Sequence, residues 1–171
     1  MQSSLRCARL VGGLFIVAMF LASPPLAAAD CVAPFENEIV EENCLPGAPQ
    51  SEWDVSGAGS ASIQGFATDI SVDQGQTVEF KIDTPSTNYR LDIYRLGYYQ
   101  GNGARFVTSV EPSAPLPQTQ PACSFTAGVN LVDCGNWAVS ASWDVPANAV
   151  SGMYLARLIR EDGTAGAAGF A

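Results

Sequence analysis

"NYRLDIYRL", residues Asn88 to Leu96, alternates. Tyr89, Leu91 and Ile93 share one parity, and Arg90, Asp92 and Tyr94 share the other. A period of two places successive side chains on opposite faces, so the stretch reads as a β-strand with one face in a core. "TVEFKID" (77–83) has the same pattern: Val78, Phe80 and Ile82 point one way, Thr77, Glu79, Lys81 and Asp83 the other. Working outward, Asp73-Gln74-Gly75-Gln76 reads as a turn after a short strand "ISV" (70–72). "ARFVTSV" (104–110) follows as a strand. In "NWAVSASWDV" (136–145), Trp137, Val139, Ala141 and Trp143 share a parity, and in "GMYLARLIRED" (152–162) so do Tyr154, Ala156 and Leu158. No segment sustains a helical period. Short strands with Gly/Pro punctuation predict an all-β fold, an antiparallel sandwich.

The connections refine this expectation. Residues 111–136 carry Pro112, Pro115, Pro117 and Pro121, which forbid a central strand and suggest a long loop crossing between sheets or forming an interface. "VPANAVSGMY" puts Tyr154 at the start of a strand after a turn, the position of the tyrosine corner of immunoglobulin-like sandwiches, whose hydroxyl bonds back to upstream backbone. After Asp162 the chain reads "GTAGAAGFA", without alternation, so the last strand of the sandwich is expected to be missing and the preceding strand to have an open edge.

Before the sandwich, residues 1–29 read as a signal peptide: Arg6 and Arg9, an uncharged apolar run from Leu10 to Ala22, then Ala27-Ala28-Ala29 as small residues for cleavage before Asp30. Residues 30–62 read as an irregular arm, broken by Pro34, Pro46, Pro49 and a Ser/Gly/Ala run, and residues 63–171 as the sandwich domain. Cleavage leaves six Lys+Arg against 17 Asp+Glu, a balance of −11. Such a chain has no basic stripe for phosphate backbones and is repelled by anionic lipid, so nucleic acid and, after cleavage, membrane are not expected partners. A secreted or periplasmic location follows. Four cysteines remain: Cys31, Cys44, Cys123 and Cys134. An even count in an exported chain predicts two disulfides, the close-spaced pairs Cys31–Cys44 and Cys123–Cys134 being the simplest of three pairings.

The chain has no histidine, which removes Ser-His-Asp, Cys-His and His-ligated metal sites together. Zinc would need close CxxC-type spacing, which the four cysteines lack. Lys81, the only lysine, lies on an outward strand position. Glu41, Glu42, Asp54 and Asp69 could supply a carboxylate pair for glycoside hydrolysis, but nothing singles out two of them. Asp69, Asp73, Glu161 and Asp162 are weak calcium candidates without an EF-hand-like loop. Catalytic residues and resident cofactors are therefore expected to be none in this chain.

"RLGYYQGNGAR" (95–105) is not a phosphate loop, because it lacks the GK[ST] ending and leads into a strand. Gly101-Asn102-Gly103 reads as a turn whose glycines permit positive φ. Tyr98 and Tyr99 are adjacent and cannot both face a core, so one ring should be exposed. With Arg95, Arg105 and Trp53 they form a candidate contact surface, aromatic and arginine side chains being the usual hot spots. For Trp53 the ordinary reading is partly buried core.

"ENCLPGAPQSEWDVSGAGSASIQGFATDISVDQGQTVEFKI" (42–82), "YRLDIYRLGYYQGNGAR" (89–105) and "DCGNWAVSASWDVPANAVSGMYLARLIREDGTAG" (133–166) together resemble the N-terminal sandwich region of proteins related to the N,N-dimethylformamidase large (beta) subunit. The resemblance implies an immunoglobulin-like module that precedes a much larger C-terminal domain, where an iron held by tyrosines and a carboxylate hydrolyses amides in true dimethylformamidases. It implies that this chain is a fragment ending before that domain, with the missing domain or a partner subunit as its partner. The leading expectation is a secreted, non-catalytic scaffolding module. The alternatives are a carbohydrate or cell-surface binding module using Trp53, Tyr98 and Tyr99, with a glycan as partner, and a fragment of an amide hydrolase whose active site lies downstream.

Overall fold

The computed structural model of the chain describes residues 31–57, 59–163 and 167–170. The expected signal peptide lies outside the described residues. Two short helices, α1 (Glu38–Asn43) and α2 (Gln50–Trp53), precede nine strands: β1 (Gln64–Ala67), β2 (Thr77–Asp83), β3 (Tyr89–Leu96), β4 (Ala104–Val110), β5 (Ser124–Thr126), β6 (Leu131–Asp133), β7 (Ala141–Asp144), β8 (Tyr154–Arg160) and β9 (Ala167–Phe170). The strands form a three-stranded sheet β1-β2-β7, a four-stranded sheet β4-β3-β8-β9 and a separate hairpin β5-β6, and every ladder is antiparallel.

The two larger sheets pack face to face as the alternation requires. Val78, Phe80 and Ile82 of β2 meet Leu91 and Ile93 of β3 and Ala156 and Leu158 of β8 in one buried cluster that also holds Tyr89 and Ile63. Thr77 and Glu79 of β2 face solvent. The fold is an all-β antiparallel sandwich. The Tyr154 hydroxyl donates to the Val150 carbonyl at 2.7 Å, bonding back to upstream backbone in the manner of a tyrosine corner.

Several local expectations are corrected. "ISV" forms no strand: the chain pairs through Thr68, whose N–H reaches the Glu79 carbonyl, then leaves the sheet and puts Ile70 fully in water. Only residues 141–144 of "NWAVSASWDV" form the β7 strand; Trp137 leaves the parity and packs on Phe66, ring centroids 5.7 Å apart, while its indole N–H donates to the Pro121 carbonyl. The connection 111–136 is not wholly irregular: past its prolines it folds into the β5-β6 hairpin, closed at its base by Cys123–Cys134. The arm is not wholly irregular either, because the Asn37 side chain accepts from the Ile39 and Val40 N–H groups and starts α1 as an N-cap. Cys31–Cys44 ties the end of α1 to the start of the arm.

The last correction concerns the edge of β8. The expected missing strand is there as β9, whose backbone pairs Ala167–Phe170 with Ala156–Ile159. Ladder bonds come from the main chain, so a segment of small residues pairs without alternation. Gly163, after β8, has a φ of 81°, a conformation glycine adopts without strain.

β3 departs most from the simple strand pattern. Its second face is buried too: Asp92 and Tyr94 are 5% and 3% exposed. The arm lies over that face, with Ala48 and Trp53 packed on Tyr94, Leu96, Ala104 and Leu155. Replacing Leu158, wholly buried in the inter-sheet core, by Ala should destabilise the chain by about 3 kcal/mol in urea unfolding. Burial, against a smaller opposing pull from Ser140, pushes the Tyr89 hydroxyl from 10.0 up to about 12. An unfolded tyrosine ionises first, so this contribution is intact below about pH 10 and is lost as pH rises towards 12, on the order of 2 kcal/mol. Stability followed against tyrosinate absorbance should fall in that window, and less so in Tyr89→Phe.

Candidate functional site

The candidate contact residues converge at the end of β3, and all but Tyr98 face inward. After Leu96 the chain turns through a single 3₁₀ turn, Tyr99–Gly101. Tyr99 and Gln100 sit in the left-handed region, with φ of 40° and 57°, and Gly101 and Gly103 follow at 93° and 85°. A left-handed non-glycine residue costs about 1–3 kcal/mol and persists only where its surroundings hold it. Here they do. Tyr99 is wholly buried, its hydroxyl donating to Glu42 Oε1 at 2.8 Å and accepting from Arg95 Nη1 at 2.8 Å. Arg105 Nε donates to the same Glu42 oxygen at 2.7 Å, and the two side chains form an ion pair. The guanidinium carbons of Arg95 and Arg105 lie 5.9 and 6.0 Å from the Tyr99 ring centroid, near enough for cation–π attraction.

Glu42 comes from α1 in the arm, so the cluster joins arm to sheet. Arg95, 2% exposed, also donates from Nε to the Val150 carbonyl at 3.3 Å and from Nη2 to the Ser151 carbonyl at 2.6 Å. Burial pushes the Tyr99 hydroxyl pKa up against the pull of the Arg95 hydrogen bond. Burial also works to lower the Arg105 pKa, but the hydrogen bond and charge of Glu42 outweigh it and leave that pKa raised. The other links are backbone-specific. Asn43 Oδ1 accepts from the Tyr98 N–H at 2.9 Å, Gln100 Nε2 donates to the Cys44 carbonyl at 3.1 Å, and the Ala48 N–H donates to the Ala104 carbonyl at 2.8 Å. The Trp53 indole N–H donates to the Asn102 carbonyl at 3.1 Å, and its ring lies so close to Gly103 that a Cβ there would sit 2.8 Å from Cζ2.

The structure therefore brings Trp53, Arg95, Tyr99 and Arg105 together as an internal seam. Of the two adjacent tyrosines, Tyr98 is the exposed one, at 46%. The turn expected to dock on another domain docks on the chain's own arm. Glu42 was weighed only as a hydrolytic carboxylate; its place is set by Arg105 and the Tyr99 hydroxyl, which meet it from the other side of the turn. The other carboxylate candidates stay apart. Asp54 accepts from the Gln50 side chain at 2.9 Å, Asp69 from the Thr68 hydroxyl at 2.8 Å, and Glu41 is exposed. Of the calcium candidates, Glu161 pairs with Arg90 and Asp162 with Arg160. Among the described residues no group of three or more His, Cys, Asp or Glu side chains is placed to hold a metal ion. Among them, too, no helix is long and apolar enough to cross a membrane.

A family description, "N,N-dimethylformamidase beta subunit-like, C-terminal", matches residues 90–171, from the second residue of β3 onward. Over those residues the chain is similar to the N,N-dimethylformamidase beta subunit-like proteins. The match corrects one expectation: the resemblance suggested an N-terminal region of such proteins, whereas the matched region is described as C-terminal. It spans β3 to β9, leaving the arm, β1 and β2 outside although they complete the sandwich. No curated protein and no solved structure matches the chain.

Tyr99→Phe removes the hydroxyl that bridges Arg95 and Glu42 and should cost about 2 kcal/mol. Glu42→Gln leaves the Arg105 charge without its counter-ion and should cost more, about 3 kcal/mol. Both should lower the urea midpoint with the slope unchanged.

Proposed function

We propose that the chain is an exported, non-catalytic scaffolding module of a dimethylformamidase beta subunit-like assembly, and that its contact surface with the rest of that assembly is the β5-β6 hairpin. One observation carries this reading. The segment "SFTAGVNLV" (124–132) holds no charge and presents Phe125, Val129, Leu131 and Val132 to solvent at 62, 71, 54 and 62% exposure. Apolar side chains gathered at one projecting place mark an interaction site. Each contributes about 1.5–3 kcal/mol when fully buried. The Cys123–Cys134 bond fixes the shape of the hairpin before any partner arrives, which lowers the ordering cost of binding.

The internal use of Arg95, Tyr99, Arg105 and Glu42 supports the non-catalytic part, because these groups have each other as partners. Amide hydrolysis by such an assembly would then rest on residues outside this module. The two disulfides favour an oxidising compartment outside the cytoplasm. The glycan-binding alternative draws less support, since Tyr99 is buried and Trp53 is half-buried under the turn, leaving only Tyr98 of that trio open.

Hydrogen exchange at residues 124–132 should be fast in the isolated chain and slowed in the assembled parent protein. Phe125→Ser with Val132→Ser should leave the unfolding midpoint of the isolated chain unchanged and abolish that slowing. Equal exchange in both settings removes the hairpin from the interface. Turnover of simple amides by the isolated chain removes the non-catalytic reading.

A further inference from the structure

The sandwich is unsealed at one end. The loop 68–76 between β1 and β2 and the loop 145–153 between β7 and β8 border a cleft of about 800 Å³ that enters between the two sheets. Its floor is the core itself: Val78 and Phe80 from one sheet, Ile93 and Ala156 from the other. Trp143 and Tyr154 form a wall, ring centroids 5.6 Å apart, and both remain only half-buried. Ile70 and Met153 at the rim are 108% and 61% exposed. A core that stops short of closing, with aromatic side chains left part-wet around it, has the form of a small-molecule site, for which about 300–1,000 Å³ is usual.

The cleft is preformed. Gln74 Nε2 donates to the Ala149 carbonyl at 2.6 Å and ties the two loops together. The Tyr154 hydroxyl and Arg95 Nε both donate to the Val150 carbonyl, at 2.7 and 3.3 Å, and hold the second loop to the sheet.

Its charge has one sign. Asp69 and Asp73 are exposed and belong to its lining, and among the described residues no Lys or Arg does. Arg95 lies behind the second loop, 2% exposed, its guanidinium held by the Val150 and Ser151 carbonyls and the Tyr99 hydroxyl. The whole chain carries a formal −9. An anion entering the cleft meets like charge, whereas an apolar body with a positive head gains from both the floor and the mouth.

We propose that this cleft is a binding site for an apolar small molecule with a cationic head, an alkyl- or arylammonium, whose body lies against Trp143, Tyr154 and Phe80 and whose charge faces Asp69 and Asp73. The site is independent of the hairpin: a ligand here touches neither the β5-β6 strands nor the seam at Glu42.

Calorimetry at low ionic strength with octylamine, octanol and octanoate tests it on the intact chain. Octylamine should bind about tenfold more tightly than octanol, and octanoate more weakly than either. Asp69→Asn with Asp73→Asn, both at exposed positions, should bring octylamine down to the affinity of octanol and leave octanol unchanged. Ala149→Trp, which fills the cleft from its lining, should weaken octylamine at least about tenfold. If that variant does not fold, the carboxylate pair alone carries the test. Equal binding of octylamine and octanoate overturns the proposal. So does a preference for the amine that survives loss of both carboxylates, or the absence of binding by octylamine.

Discussion

A carboxylate with 8% of its side chain exposed sets the terms for everything around it. Glu42 cannot be left alone in that position, since an unpaired buried charge costs several kcal/mol. It is met by the Tyr99 hydroxyl and by Arg105, and through Tyr99 by Arg95. Those three groups come from the end of β3, the turn after it and the start of β4, and the acid comes from a helix more than fifty residues earlier. Satisfying one oxygen therefore fixes where the arm lies, which way the turn bends and which tyrosine of the adjacent pair goes inside. The left-handed backbone at Tyr99 and Gln100 accompanies the contact that delivers the Tyr99 hydroxyl to the acid.

The arm in turn explains why β3 is buried on both faces. A four-stranded sheet in a two-layer sandwich has an outer face, ordinarily wet. Here Trp53 and Ala48 cover part of it, and Tyr94 donates its hydroxyl to the Glu52 carbonyl at 3.1 Å while Arg157 donates to the same oxygen at 2.7 Å. The module is thus three layers deep along its middle.

Most of the sandwich was legible in the sequence because its information is local. The parity of Val78, Phe80 and Ile82, or of Leu91 and Ile93, is decided by the pleat and needs no knowledge of the partner strand. The Tyr154 position was readable for the same reason, since its acceptor lies four residues upstream. What escaped was decided at a distance or by the main chain. β9 pairs through backbone groups that its Ala and Gly residues do not advertise. "ISV" has the composition of a strand, but the ladder beside it ends at Thr68 and leaves it nothing to pair with. Of the five residues grouped as a surface, Trp53, Arg95, Tyr99 and Arg105 turn inward and Tyr98 stays exposed. The acid that draws Tyr99 and Arg105 in sits in a segment with no periodicity to flag it.

The Cys123–Cys134 bond sits at the base of a two-stranded hairpin whose residues 124–133 are all exposed and absent from both core clusters. Its form is closed by its own covalent link and owes little to the sandwich beneath. Sequence drift at that tip is consequently uncoupled from the foldability of the body. Substitutions at that tip therefore act on what the hairpin touches rather than on whether the body folds.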